Sequence, residues 1–150
     1  MKNAFWLLLL PLFSCLDQPD CLRTADTGLV IAFRKLEGGA RDTVVLYQVT
    51  AMGADSIFYS PGNEPDTLKG TNALLAVDPF NTETSFTFYF HESEKELQIG
   101  YNREMRFVSD ECGSELFLSS LEILNTTFDS VRVVNRQLTK SRSVNIEIFN

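Results

Sequence analysis

Histidine is almost missing from this sequence: of 150 residues only His91 carries an imidazole. Any Ser-His or Cys-His nucleophilic scheme would have to pass through that one residue, beside the charged tip Glu92-Ser93-Glu94-Lys95, and no Gly-x-Ser-x-Gly elbow is present. His91 therefore reads as a solvated side chain. A phosphate-cradling loop is also missing, since Gly38-Gly39 is followed by neither a Lys nor a helical pattern. The carboxylates at Glu92, Glu94 and Glu96 and at Asp110-Glu111 lack the Asp-x-Asp-x-Asp-Gly spacing of a calcium loop and read as solvated turn charges. Basic residues are the minority, 13 against 20 acids, for a formal charge of −7. That balance argues against sequence-independent nucleic-acid binding and against charge-driven adhesion to anionic lipid. The chain is expected to have no catalytic residues, no metal and no cofactor.

No apolar run is long enough to span a bilayer, which takes about 20 residues. What is present is an export pattern. Lys2 supplies a positive start, Ala4 to Phe13 an apolar stretch interrupted only by Pro11, and the chain then turns polar and acidic. The stretch ends at Leu12-Phe13-Ser14-Cys15, which resembles a bacterial lipobox: an aliphatic residue three before the cysteine, a small residue before it, then the thiol. In proteins with that motif the Cys becomes residue one and carries a diacylglyceryl thioether, and its freed amine can take a further acyl chain such as palmitate. Two or three chains anchor stably where one is marginal. The expected organisation is a signal peptide at 1–14, the acylated Cys15 with a short polar leader at 15–27, and one domain at 28–150. Cleavage removes Lys2 and no acid, so the mature charge is −8.

Three cysteines less the acylated one leave Cys21 and Cys112 in an oxidising compartment, where pairing is expected. Two free thiols remain an alternative. A zinc site is excluded by the lack of further Cys or His ligands at a suitable spacing.

From Gly28 onward, period-two alternation dominates, placing successive side chains on opposite strand faces. Phe86, Phe88 and Phe90 share one face and, across the charged tip, Leu97, Ile99 and Tyr101 answer them as a hairpin. Further strand runs are Leu29–Leu36, Thr43–Thr50, Ser56–Ser60, Ala73–Asp78, Met105–Ser109, Ser130–Val134 and Val144–Phe149. Turn signals fall at Gly38-Gly39, Gly53-Ala54-Asp55, Pro61-Gly62-Asn63, Asp78-Pro79, Asn102 and Asn125. Ser114–Leu124 could place its leucines on a helical face, but is assigned as a strand or a strand with a bend. Many short strands in one domain predict an all-β fold, an antiparallel β-sandwich of immunoglobulin-like type, with a closed barrel as the alternative.

Cys15, Asp20-Cys21-Leu22, the strand Leu29-Val30-Ile31-Ala32-Phe33, the late run Val108-Ser109-Asp110-Glu111-Cys112-Gly113 and the closing Asn145-Ile146-Glu147-Ile148-Phe149 together resemble an uncharacterised lipoprotein family of Bacteroidetes, a domain of unknown function. The resemblance implies an envelope location, a β-rich domain and no assigned activity. It also brings in the O-glycosylation of Asp-Ser/Thr-aliphatic tripeptides found on exported proteins of that lineage, which would fall here on Thr43, Ser56, Thr67 and Ser130. Asp-Ser and Asp-Thr pairs equally suit the point where a turn leads into a strand, because their short side chains bond local backbone.

Two contact surfaces are legible. Arg132, Arg136, Lys140 and Arg142 make a basic stretch with no acid between Asp129 and Glu147, suited to an acidic partner or to lipopolysaccharide phosphates. Tyr47, Tyr59, Tyr89 and Tyr101 could stack on sugars. The expected function is a non-enzymatic lipoprotein of the cell envelope that binds or scaffolds another envelope protein. The alternative is a carbohydrate-binding accessory lipoprotein of a glycan-uptake system, and a third class is an enzyme acting on envelope polymers. Leu16 after the acylated Cys carries no inner-membrane retention signal, and Asp17 and Asp20 form a thin acidic leader. The outer membrane is therefore expected, with its face open.

Overall fold

A computed structural model of the chain describes residues 28–52, 58–59, 66–69, 72–110, 112–138 and 143–149, with backbone alone for 58–59 and 66–69. Among the described residues every regular element is a strand: β1 (Gly28–Arg34), β2 (Thr43–Leu46), β3 (Gln48–Ala51), β4 (Phe58–Tyr59), β5 (Asp66–Lys69), β6 (Ala73–Ala76), β7 (Glu83–Tyr89), β8 (Glu94–Ser109), β9 (Gly113–Thr126), β10 (Ser130–Val133) and β11 (Ile146–Phe149). They form a four-stranded sheet in the order β10-β11-β1-β6, a five-stranded sheet in the order β4-β3-β7-β8-β9, and a two-stranded ribbon of β2 and β5. All pairs are antiparallel except β1 with β11. The architecture is a β-sandwich that does not close into a barrel.

The alternation read from the sequence decides what lies between the sheets. Phe86 and Phe88 of β7, Leu97, Ile99 and Tyr101 of β8, and Leu29, Ile31 and Phe33 of β1 are all buried in one core. Phe33, Phe88, Phe90 and Phe128 meet edge-on, with centroids 5.3 to 6.5 Å apart, the arrangement favoured by the ring quadrupole. β1 departs from simple alternation. Val30 and Ala32 are buried along with their neighbours, as befits a strand covered on both faces. The turn after β1 uses Gly38 and Gly39 at φ 76° and 62°, and the Lys35 amide donates to the Ala40 carbonyl at 2.8 Å. Glycine reaches that left-handed region without steric cost.

Two expectations are corrected, and one strand is added to those read from the sequence. Asn102 does not end a strand: β8 runs unbroken for 16 residues, and Asn102 pairs with Ser119. Asn125 likewise lies within β9, opposite Gln98. β5, which carries no strong alternation, is a strand because β2 supplies it with a partner. The ambiguous leucine run is a bent strand, and the bend has a visible cause. Ser120 adopts φ 57°, where the register of β9 slips against β8 between Gly100 and Asn102. Such a bulge inserts a residue and sharpens the local twist.

Candidate functional site

The β8–β9 ribbon is longer than the sheet that holds it. Glu83, the first residue of β7, pairs with Gly100. Beyond that point, among the described residues, β8 pairs only with β9, and the two continue as an arm to Ser109 and Gly113. The face of β8 that buries Leu97, Ile99 and Tyr101 carries on as Arg103, Met105 and Phe107, but Met105 is 63% and Phe107 68% exposed. Cys112 at the arm's tip takes part in a disulfide. The other cysteines of the chain, Cys15 and Cys21, lie outside the described residues.

A buried polar network fixes the base of the arm. The Tyr101 hydroxyl donates to the Asp78 carbonyl at 2.5 Å and accepts from Thr84 Oγ1 at 2.7 Å, and Thr84 in turn accepts from the Asp78 amide at 2.9 Å. The Asp78 carboxylate accepts from the Phe80 amide at 2.8 Å and from Asn81 Nδ2 at 2.6 Å. These donors, the Phe80 amide first, hold the Asp78 carboxyl below its ordinary value. Burial pushes the Tyr101 phenol up, against the opposing Thr84 hydrogen bond. The locked turn presents Phe80 to solvent, 80% exposed. Tyr101 is thereby removed from the tyrosines open to stacking, because it is 4% exposed with its hydroxyl satisfied.

On the outer face of the five-stranded sheet lies a depression of about 450 Å³, lined among others by Thr50, Ser85, Thr87, Glu96, Gln98 and Asn125. Cross-strand register explains it: Thr50, Thr87 and Glu96 form one row, and Ser85, Gln98 and Asn125 the next. Hydroxyls and amides with a single carboxylate can hydrogen-bond a polar ligand. Tyr89 stands on the same outer face in the adjoining row, between Gln48 and Glu94, and is half-buried. Tyr47 lies 5.8 Å from the His91 ring at the far hairpin tip, where His91 is exposed and 3.7 Å from Glu92. The side chain of Tyr59 lies outside the described residues.

The basic stretch is less free than its sequence suggests. Antiparallel pairing of β10 with β11 sets Arg132 opposite Glu147, the acid that ends the run. Arg132 donates to Glu147 Oε2 at 2.5 Å and lies 5.4 Å over the Phe149 ring, while Arg34 donates to Oε1 at 2.9 Å. These two guanidiniums, Arg132 foremost, hold the Glu147 carboxyl below its ordinary value against a partial burial penalty. Arg136 is exposed near the arm's base, where its carbonyl accepts from the Leu121 amide at 3.0 Å. Lys140 and Arg142 lie outside the described residues.

Of the four glycosylation positions, Thr43 and Ser130 are the first residues of β2 and β10, and Thr67 is second in β5. Thr43 is exposed, and its amide donates to Asp42 Oδ1 at 2.9 Å, the local backbone role that such pairs fill. Ser130 is half-buried, and Ser56 lies outside the described residues.

One feature had no sequence signal. Glu115 on the arm is 5% exposed, and neither carboxylate oxygen meets a hydrogen-bond donor. Its cross-strand neighbour is Arg106. That guanidinium goes instead to Glu104 at 2.5 Å and lies 5.2 Å over the Phe117 ring. Among the described residues no group of three or more His, Cys, Asp or Glu is placed to hold a metal ion.

Residues 43–150 match the model of a family of unknown function, DUF6452. No curated protein and no solved structure matches the chain.

Proposed function

The chain belongs to DUF6452, a family of unknown function whose model covers most of its length, and from that premise we propose that it is a cell-envelope lipoprotein of a Bacteroidetes bacterium, acylated on Cys15, serving as a non-enzymatic binding subunit. The observation that carries this reading is the disulfide at Cys112. Stable disulfides belong to oxidising compartments, and a chain with three cysteines that commits Cys15 to lipid has only Cys21 left as the partner. Export, acylation and cross-linking then form one consistent account of all three thiols. The outer membrane is the proposed destination, and another envelope protein the proposed partner.

The test is metabolic labelling with an alkyne-bearing fatty acid in the native host, with intact mass read under non-reducing conditions. Label on the wild type, none on Cys15→Ala, and a mass two protons below the fully reduced form are expected. Unlabelled protein retaining residues 1–14 would refute the reading. A second reading, glycan binding, is favoured by the depression on the outer sheet face, whose hydroxyl and amide lining suits an uncharged sugar. Retention of the wild type on an insoluble neutral polysaccharide, lost in Glu96→Ala and Gln98→Ala, would support it. Equal retention of all three would remove it.

A further inference from the structure

We infer that the arm end of the sandwich is a membrane-contact surface, which seats the tethered domain on the lipid bilayer with Phe80 and Phe107 at the headgroup boundary. The inference rests on the anchored reading above and adds the orientation of the domain.

Among the described residues ten large apolar side chains are strongly exposed, and six of them, Met52, Phe80, Met105, Phe107, Val108 and Val134, belong to one end of the molecule. Register and hydrogen bonding define that end. Gly28 at the start of β1 pairs with Ala76, and the chain from there leads directly into the Asp78–Thr82 turn. The Tyr101 amide, at the base of the arm, donates to the Thr82 carbonyl. The Met52 amide donates to Ser85 at the start of β7. Val134 joins the same end because its amide donates to Asn145, whose own amide donates to Val30. The opposite end carries the acidic side chains Glu37, Glu92, Glu94 and Asp129, exposed in its turns. Exposed apolar groups gathered on one side of a soluble-sized domain mark an interaction surface.

The covalent tether says what that surface meets. The first described residue, Gly28, lies at this same end, and it is the point to which the chain from Cys15 is covalently joined. The arm projects farther, about 25 Å from Tyr101 to Ser109 at strand rise, and its tip is tied by the Cys112 disulfide. With Cys15 acylated, the bond runs to Cys21. The stretch from Cys15 to Cys21 then spans at most about 20 Å when fully extended, so the acyl chains enter the bilayer within that distance of the arm's tip. A leader alone would let the domain tumble. The second covalent attachment, at the arm's far tip, keeps Phe107 and Met105 near the lipid surface. Arg103 and Arg136, at the arm's base, are placed for headgroup phosphates. Amphipathic surfaces of this kind bury aromatic and aliphatic groups at the headgroup and acyl boundary.

The chain itself offers the probe. Its one Trp, Trp6, lies in the segment removed on cleavage, so Phe80→Trp, Phe107→Trp and Leu36→Trp each give a mature lipoprotein with a single indole. Leu36, 69% exposed in the turn after β1, is the control at the opposite end. Each acylated mature protein is reconstituted in vesicles of phosphatidylethanolamine and phosphatidylglycerol doped with brominated phosphatidylcholine. Quenching by about half or more at positions 80 and 107, with position 36 unaffected, is the expected result for groups at the headgroup boundary. Acylated, vesicle-bound protein with no quenching at 80 or 107 overturns the contact surface while leaving the anchor reading intact. Equal quenching at 36 overturns the orientation. Indoles at 80 and 107 that stay wet in pure lipid but become protected in native membranes overturn lipid as the occupant in favour of an envelope protein. Protein without acyl mass that stays off the vesicles removes the anchor reading, and this inference with it.

Discussion

The body of the sandwich and its arm are built from the same strands yet held by different physics. From Leu97 to Tyr101, β8 turns its apolar face onto the opposing sheet and buries it, while from Arg103 to Phe107 the same face of the same strand stands mostly in solvent. Alternation therefore specifies a strand, and only a second layer makes one of its faces a core. On the β8 side of the arm that layer is missing among the described residues, although Leu118 and Leu116 of β9 still reach the core, and the tip carries a disulfide. Removing the bond tests this contrast with the largest expected effect. In the loop-closure model a bridge across some ninety residues contributes roughly 4–5 kcal/mol before native strain is subtracted. Cys112→Ser should lower the urea midpoint accordingly, and amide exchange should accelerate more along Asn102–Ser109 than along Phe86–Tyr89. Uniform acceleration in both segments would mean that body and arm are a single cooperative unit.

Truncating one Phe in each region sharpens the same comparison. Phe88 is fully buried and meets Phe33 and Phe128 edge-on, so Phe88→Ala should cost about 3–5 kcal/mol through lost transfer energy and the cavity left behind. Phe107→Ala, at a site that already faces water in the isolated protein, should change stability by no more than about 0.5 kcal/mol. Urea titration of the two variants reads the difference directly. A large loss at Phe107 would show that the arm face is packed in solution.

Polar groups divide the two regions in the opposite sense. In the body, the Tyr101 hydroxyl, Thr84 and Asp78 satisfy one another, and Tyr101→Phe, which takes the phenol donor from the buried Asp78 carbonyl and the acceptor from the Thr84 hydroxyl proton, should cost about 1–3 kcal/mol. On the arm, Glu115 is buried with neither oxygen bonded. Replacing an unpaired buried polar group with an apolar one of similar size removes a desolvation cost, so Glu115→Leu should raise the urea midpoint. A fall would reveal a partner for Glu115 in solution.

The division between body and arm also explains what the sequence could reveal. The β7–β8 hairpin was legible because Phe86, Phe88, Leu97 and Ile99 keep strict period two and both strands bury the result. The length of β8 was not, since Asn102 carries a turn residue's local preference and only its pairing with Ser119 overrides it. Nor could composition show that Glu147, distant in sequence, would return to neutralise Arg132, because that follows from the β10–β11 register. The outer depression escaped for the same reason: Thr50, Ser85, Glu96 and Asn125 come from four strands, and no spacing along the chain relates them. The residues expected to be modified, Cys15 above all, announce themselves through local motif chemistry and need no fold to be recognised.

The smallest expected effect concerns pH, and it again separates body from arm. Glu147 is held below its ordinary value, chiefly by its hydrogen bond to Arg132, and Asp78 below its own, chiefly by the Phe80 amide. A carboxyl with a depressed folded-state pKa binds its proton more readily when unfolded. Its stabilisation is therefore complete above the unfolded value, about 4 to 4.5, and drains away as pH falls through the folded one. Tyr101 works in the other direction: burial raises its value above 10.0, so its contribution is complete below that and is lost as the phenol ionises at higher pH. Urea midpoints measured from pH 7 down to pH 3 should fall, and the fall should be shallower in Glu147→Gln and in Asp78→Asn, which no longer titrate at those positions. Both groups lie in the body, and the carboxyl held low on the arm, Glu104 beside Arg106, is exposed and screened by solvent, so exchange in the β1, β10 and β11 segments should respond to acid before the arm. An acid limb unchanged in either variant would mean that the groups governing low-pH stability lie elsewhere in the chain.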